Sequence, residues 1–149
     1  MKSILLTPRY AMLLRAMELY GVTELPGREQ NVTILKMFKD IGHQWVQDDE
    51  TSWCSAFVNW VAQYCNCQRS GKLDARSWLK VGTEIKMPHQ GDIVIFWRES
   101  INSWKGHVGL WIASNDTHIY CLGGNQGNQV NISAYPRFQV LGYRSLEFI

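Results

Sequence analysis

Cys54 is the residue of this sequence best suited to nucleophilic chemistry. The segment 53–64, Trp-Cys-Ser-Ala-Phe-Val-Asn-Trp-Val-Ala-Gln-Tyr, carries apolar residues at helical spacing, and a polar stretch with Asp48 and Asp49 as capping or turn residues precedes it. The pattern predicts a mostly buried helix with Cys54 at its amino end. The partial positive charge of a helix N-terminus stabilises a thiolate, and a buried helix holds the sulfur rigidly. The alternative for a lone cysteine is a small hydrophobic core residue.

His107 is the candidate general base for this thiol. It occupies the first position of a predicted strand, residues 107–113, so its backbone is held while one side stays open. Gly106 and Gly109 leave room for another group to approach closely. The alternative is a surface histidine at the end of a strand.

A third polar side chain is expected beside the imidazole. The turn residues Asn115-Asp116 predict that strand 107–113 pairs antiparallel with strand 117–122, which places His107 opposite Gly124. Asn125 then lies within reach of the ring and can fix its tautomer without adding charge, with Gln126 as the fallback. His118 lies about 23 Å from Asn125 at the other end of the hairpin, which makes it a poor candidate. Cysteine, histidine and asparagine in this order predict a cysteine hydrolase.

The elements that must position these residues fall into two groups. The periodicity predicts helices over residues 9–20, 31–41, 53–64 and 75–80. It predicts strands over residues 93–97, 107–113, 117–122, 129–132 and 140–144. Helices followed by strands predict an α+β domain with an antiparallel sheet, and 149 residues are enough for one such domain.

Composition and charge exclude several classes of protein. The net charge of +2, with no run of Lys or Arg, is too small for a nucleic-acid-binding surface, so no nucleic-acid partner is expected. No apolar stretch reaches the ~18 residues of a membrane span. Cys65, Cys67 and Cys121 are expected to be reduced structural thiols. No metal site is expected, because Cys65 and Cys67 are closer in sequence than paired zinc ligands usually are, and no second pair follows.

Four motifs along the chain resemble those of one known group of enzymes. They are Trp53-Cys54-Ser55-Ala56-Phe57-Val58, Pro88-His89-Gln90-Gly91-Asp92-Ile93-Val94-Ile95-Phe96, Gly106-His107-Val108-Gly109 and Leu122-Gly123-Gly124-Asn125-Gln126. They are similar to motifs of the NlpC/P60 and CHAP superfamily of cysteine peptidases and amidases, and especially of a small single-domain branch with a Gly-Gly-Asn-Gln ending. The segments 24–27 and 75–79 also resemble that branch. Many NlpC/P60 enzymes have Asp and Gly where this chain has Trp53 and Ala56, which favours the CHAP side.

The resemblance implies a fold, a reaction and roles for three residues. It implies a single papain-like catalytic domain over residues 1–149, with the cysteine helix packed on a small antiparallel sheet. The implied reaction is hydrolysis of an amide bond in bacterial peptidoglycan, as a stem-peptide endopeptidase or an N-acetylmuramoyl-L-alanine amidase. Cys54 matches the nucleophile, His107 the base and Asn125 the third polar residue. The mechanism needs no metal and no cofactor.

Four further residues are candidates for contact with substrate. Trp53 either forms a wall of the cleft beside Cys54 or fills the core, and Trp104 lies in the loop just before His107. Glu24 either binds the amino group of a stem peptide or is a solvated loop carboxylate. Gln126 follows the predicted third residue.

The expected setting follows from the absence of a recognisable signal peptide. The protein is expected to be made in the cytoplasm and to act on the cell wall in the periplasm after release or injection, as a phage lysin or an injected antibacterial toxin. A toxin would have an immunity or inhibitor protein as a partner. The alternatives are a cysteine deamidase or acyltransferase acting on protein or lipid, and a degenerate domain that binds wall fragments.

Overall fold

The computed structural model describes residues 6–25, 30–46 and 52–149. Within these ranges three α-helices come first, followed by a 3-10 helix: α1 (Pro8–Met17), α2 (Val32–Asp40), α3 (Cys54–Tyr64) and the 3-10 helix Ala75–Lys80. The same ranges hold six strands and a 3-10 turn, Arg137–Gln139, before the last strand: β1 (Thr83–Ile85), β2 (Ile93–Trp97), β3 (Gly106–Ser114), β4 (His118–Gly123), β5 (Asn131–Pro136) and β6 (Val140–Ser145). No helix of this described part is long and apolar enough to cross a bilayer. The predicted α+β class is confirmed.

These six strands form one antiparallel sheet in the order β1-β6-β2-β3-β4-β5. The central strand β2 is flanked by β6 and β3, which explains its uninterrupted apolar sequence. Ile93 and Ile95 belong to the large cluster that includes the helices, whereas Val94 and Phe96 belong to a smaller cluster on the strands. A strand buried on both faces needs apolar residues at every position. Strand β1 was not predicted, since it has three residues and two of them are exposed.

Helix α3 is the centre of the core. Its first nine residues, 54–62, are all buried, because α3 packs on β3 and also contacts α1 and α2. The buried polar side chains on this helix are paired: Ser55 Oγ donates to the carbonyl of Lys72 (2.6 Å), and Asn59 Oδ1 accepts from the backbone N–H of Gly71 (2.8 Å). These bonds fasten the following loop to the first two turns of α3, and the bond of Ser55 does so directly beside Cys54.

The ends of α1 and α2 follow from local signals. Asn31 caps α2 as predicted, since its Oδ1 accepts from the backbone N–H groups of Thr33 (2.8 Å) and Ile34 (3.3 Å). Helix α1 ends at Met17, earlier than predicted. The chain turns there and reaches Gly21, whose φ of 92° is the left-handed conformation that glycine adopts readily.

The start of α3 differs from its predicted form. Trp53 is the N-cap residue, and no side chain caps the helix. Ser52 is the one residue of the predicted capping stretch that the structure describes, whereas Asp48 and Asp49 lie outside the described residues.

The β3–β4 hairpin has the predicted turn and a shifted register. Asn115 Oδ1 accepts from the backbone N–H groups of Thr117 (3.0 Å) and His118 (2.7 Å), which closes the turn. Leu110 pairs with Leu122, one residue beyond the predicted partner, and a bulge follows between Trp111 and Ala113. The bulge inserts a residue that turn chemistry alone does not reveal.

Candidate active site

The thiol of Cys54 lies where the first turn of α3 meets the start of β3. Its pKa is influenced by the backbone N–H groups of Val108 and Ser55, both of which favour the thiolate. Val108 directly follows His107, so the sulfur lies against the strand that carries the predicted base. Cys54 is 3% exposed, and with Ser52 it lines a cavity of about 220 Å³.

The imidazole of His107 is held by a buried amide. His107 Nε2 lies 2.8 Å from Gln126 Oε1. The amide nitrogen of Gln126 donates to three oxygens, the carbonyl of Cys121 (3.0 Å) and the carbonyl (2.8 Å) and Oδ1 (3.0 Å) of Asn131. Since all three are acceptors, the amide oxygen is the atom that faces the ring, and Nε2 carries the hydrogen. Nδ1 is then left with a lone pair and can accept a proton.

Asn125 does not take the predicted place beside the imidazole. Its Nδ2 donates to Ser52 Oγ (3.4 Å), and its backbone φ is 57°. The prediction assumed that side chains continue to alternate beyond the end of β4. The left-handed backbone of Asn125 ends this alternation, so Gln126 rather than Asn125 points to the imidazole. Gly123 makes room for it: a Cβ atom there would lie 2.5 Å from Gln126 Oε1. The contacting residue is therefore Gln126, and Asn125 reaches the site through Ser52.

An aromatic stack supports the other side of the imidazole. The rings of His107 and Tyr135 are stacked with centroids 4.8 Å apart, and Tyr135 stacks in turn on Phe96 at 4.7 Å. The Tyr135 hydroxyl lies 3.1 Å from His107 Nε2. Stacking and hydrogen bonding together restrict rotation of the base about its side-chain bonds.

Burial disfavours the charged forms of both Cys54 and His107. The pKa of His107 is lowered to about 3, chiefly by desolvation and then by the charge of Arg98, while the hydrogen bond to Gln126 Oε1 acts in the opposite direction. Desolvation raises the pKa of the Cys54 thiol, and it outweighs the N–H groups, the charge of Arg98 and the hydroxyl of Ser52 that favour the thiolate. Desolvation therefore opposes the thiolate that the helix N-terminus favours, and it opposes the imidazolium of His107 as well.

The predicted substrate-contacting residues have different surroundings. Trp53 is fully buried, and its Nε1 donates to Glu24 Oε1 (2.7 Å), so Trp53 belongs to the core and Glu24 holds it there. Gln126 lies buried and is bonded to the imidazole, which makes it a positioning residue rather than a substrate contact. Trp104 lines the same cavity as Cys54 and is 72% exposed. Its indole is therefore available to a substrate.

Comparison with known proteins identifies the type of fold. No protein-family model and no curated protein matches the chain. A solved structure does match, a protein from Staphylococcus aureus subsp. aureus Mu50 described as similar to lipoprotein, NLP/P60 family. The TM-score is 0.54, and the match covers 95% of this chain and 42% of that one. This chain has a papain-like α+β fold of the NlpC/P60 type. The identity of 16% makes this a likeness of fold, and the chain spans less than half the length of that structure.

Sequence reasoning missed Arg98 and Tyr135. Arg98 Nη2 lies 3.3 Å from His107 Nδ1, and Arg98 also lines the Cys54 cavity. The sequence held a signal for Arg98, because it directly follows the strand predicted over residues 93–97. In the structure this strand pairs Phe96 with His107, which brings Arg98 to the imidazole. Tyr135 had no comparable signal, since it lies beyond the strand predicted over residues 129–132.

Proposed function

We propose that this protein hydrolyses an amide bond of bacterial peptidoglycan through Cys54, with His107 as the base and Gln126 as the residue that orients it. The observation that carries the proposal is the buried bond from His107 Nε2 to Gln126 Oε1 at 2.8 Å. It commits one ring nitrogen and leaves the other, Nδ1, to act as the base. A binding domain without catalysis has no need of this arrangement behind a cysteine at a helix start.

The proposed reaction begins from the neutral pair. Nδ1 of His107 takes the proton of Cys54 as the sulfur attacks the carbonyl carbon, so that no stable thiolate is required beforehand. The backbone N–H of Cys54, at the start of α3, donates to the oxyanion of the tetrahedral intermediate. The imidazolium then protonates the leaving amine, and water hydrolyses the thioester with the imidazole again as the base. No metal or cofactor takes part.

The choice of a wall substrate rests on the fold and on the open side of the cavity. The NlpC/P60-type fold supports a cell-wall peptidase. The exposed indole of Trp104 at the cavity offers a surface for stacking or apolar contact with a muropeptide.

Digestion of purified peptidoglycan tests the proposal. The wild-type protein, Cys54→Ala and the control Cys65→Ala are incubated with walls of several chemical types, and the soluble fragments are analysed by mass spectrometry. Cys65 is a matched control because it is the C-cap residue of the same helix. We expect new fragments from the wild type and from Cys65→Ala but none from Cys54→Ala, and the new termini identify the bond.

Two outcomes would contradict the proposal. Fragments from Cys54→Ala at the wild-type rate would exclude the thiol mechanism. A folded wild-type protein that releases nothing from any wall type would exclude the wall substrate and direct attention to deamidation or acyl transfer on proteins.

A further inference from the structure

Arg98 lies at the centre of the site but has no place in the proposed mechanism. It follows the last residue of β2, and its guanidinium contacts His107 Nδ1 at 3.3 Å. A guanidinium is always charged and can only donate hydrogen bonds. Because the Nε2 hydrogen is committed to Gln126, the lone pair that Arg98 contacts is the one that must accept the proton of Cys54.

This contact is incompatible with the intermediate of the reaction. Once Nδ1 is protonated, the imidazolium and Arg98 are two cations with their donor atoms facing each other, which is unfavourable beside the buried imidazole although Arg98 itself is exposed. Arg98 must then move away from the ring or have its charge compensated. Water accepts from an exposed guanidinium that leaves the ring, whereas compensation of its charge at the ring requires a bound anion.

The described residues do not supply a carboxylate for Arg98. None of the ion pairs within residues 6–25, 30–46 and 52–149 includes it. The other cation in the cavity, Lys105, is already compensated, because its Nζ lies 2.7 Å from Glu99 Oε1. Asp74 also lines the cavity, and it contributes one negative charge there without forming an ion pair with Arg98. Among the described residues that line the cavity, Arg98 is thus a cation without an ion-pair partner, and it faces an entering molecule.

We propose that Arg98 binds a carboxylate of the substrate, and that the amide cleaved by Cys54 has a free carboxylate next to it. This inference rests on the proposed function and specifies its substrate class. A carboxylate matches the planar fork of a guanidinium with two parallel hydrogen bonds. Its binding draws Arg98 away from Nδ1, frees the base and offsets the positive charge that the imidazole gains. A substrate without the carboxylate leaves Arg98 on the ring and is cleaved slowly.

Alkylation of Cys54 tests the carboxylate site without requiring hydrolysis. Iodoacetate and iodoacetamide attack the same thiol, but only iodoacetate carries a carboxylate, so the ratio of their rates reports on attraction by Arg98. The two rates are measured at Cys54 by peptide mass spectrometry, which separates it from the other cysteines. Each ratio is divided by that of a small free thiol. We expect Arg98→Gln to lower the ratio about fivefold, Arg98→Lys to lower it less, and Asp74→Asn to raise it.

Lys86→Gln is the control for net charge, since Lys86 is exposed and lies outside the cavity lining. It should leave the ratio unchanged. An equal ratio in the wild type and Arg98→Gln, or a fall as large in Lys86→Gln, would overturn the inference. Failure of both reagents to modify Cys54 in the folded protein would also overturn it, because a carboxylate could not then reach the site.

Cleavage of matched substrates tests the consequence for specificity. Wall fragments are compared before and after their carboxylates are converted to amides. We expect the wild type to cleave the amidated form about tenfold more slowly, and Arg98→Gln to cleave both forms at similar low rates. Synthetic peptides amidated at a single position distinguish a carboxylate on the acyl-side residue from one on the amine-side residue. If the wild type cleaves no wall material, the proposed function fails, while the alkylation ratio still decides whether Arg98 binds carboxylates.

Discussion

Replacing Gln126 with Met removes the amide that orients the base while keeping the length of the side chain. The variant loses the bond to His107 Nε2 and the bonds from the amide nitrogen to the carbonyls of Cys121 and Asn131. Each buried polar group left without a partner lowers the free energy of unfolding by about 1–3 kcal/mol. The N–H of the His107 ring is not left unpaired, because the Tyr135 hydroxyl can still accept from it. We therefore expect the free energy of unfolding to fall by roughly 2–4 kcal/mol. Loss of a fixed tautomer should lower the rate of hydrolysis about a hundredfold, which corresponds to roughly 2.7 kcal/mol in the activation barrier.

Asn125→Gly is the matched variant, because it tests the neighbouring residue that the sequence favoured. The φ of 57° at Asn125 suits glycine, and the variant loses only a 3.4 Å bond to Ser52. We expect its activity to stay within about threefold of the wild type. Release of wall fragments and the alkylation rate of Cys54 at neutral pH measure the effect on activity, and denaturant unfolding measures stability. A hundredfold loss in Asn125→Gly with an active Gln126→Met would refute the assignment of Gln126.

Three further variants test the packing and electrostatics around the site. Gly124→Ala should destabilise the protein by about 2 kcal/mol, because the added Cβ would lie 2.7 Å from the buried ring of Trp53; Gly142→Ala, where the nearest atom is at 3.4 Å, should cost far less in the same thermal unfolding experiment. His107 is neutral in the fold with a pKa of about 3, whereas the unfolded chain takes up its proton near 6.5, so its contribution to stability is complete above pH 6.5 and is lost as the pH falls to 3. The difference in unfolding free energy between the wild type and His107→Gln should therefore shrink by up to roughly 5 kcal/mol over that range, and a constant difference would contradict the burial of a neutral ring. Asp92→Asn should cost about 2 kcal/mol in urea unfolding, since this buried carboxylate accepts from the Arg9 guanidinium (3.0 Å) and the His89 N–H (2.7 Å), and an unchanged midpoint would show that neither bond matters.

Several features of the fold were accessible from local sequence. The Asn31 cap, the Asn115 turn and the apolar run of β2 each depend on residues close together in the chain, and the structure confirms all three. Asp92 likewise accepts from the backbone N–H of His89 at the turn into β2, a contact between residues three apart in the chain. Strand β1 was missed because three residues, two of them exposed, carry no periodicity that distinguishes them from a loop.

The third residue of the site shows where local reasoning ends. Choosing between Asn125 and Gln126 required the hairpin register to within one residue, but the turn pairs Ser114 with Ile119 and the bulge in β3 corrects only part of that shift. It also required the left-handed φ of Asn125, which redirects the chain after Gly123. Neither feature is visible in a pattern of turn residues and alternating side chains.

What the sequence by itself determined is the α+β class and the elements that carry Cys54 and His107, because helix and strand periodicity and turn chemistry are properties of neighbouring residues. Only the tertiary structure decided that Gln126 holds the imidazole, that Trp53 is buried against Gly124, and that Arg98 contacts His107 Nδ1. Each of these depends on side chains from different elements meeting at distances of a few ångströms. Such contacts follow from register, backbone conformation and burial in the complete fold, which short-range patterns do not specify.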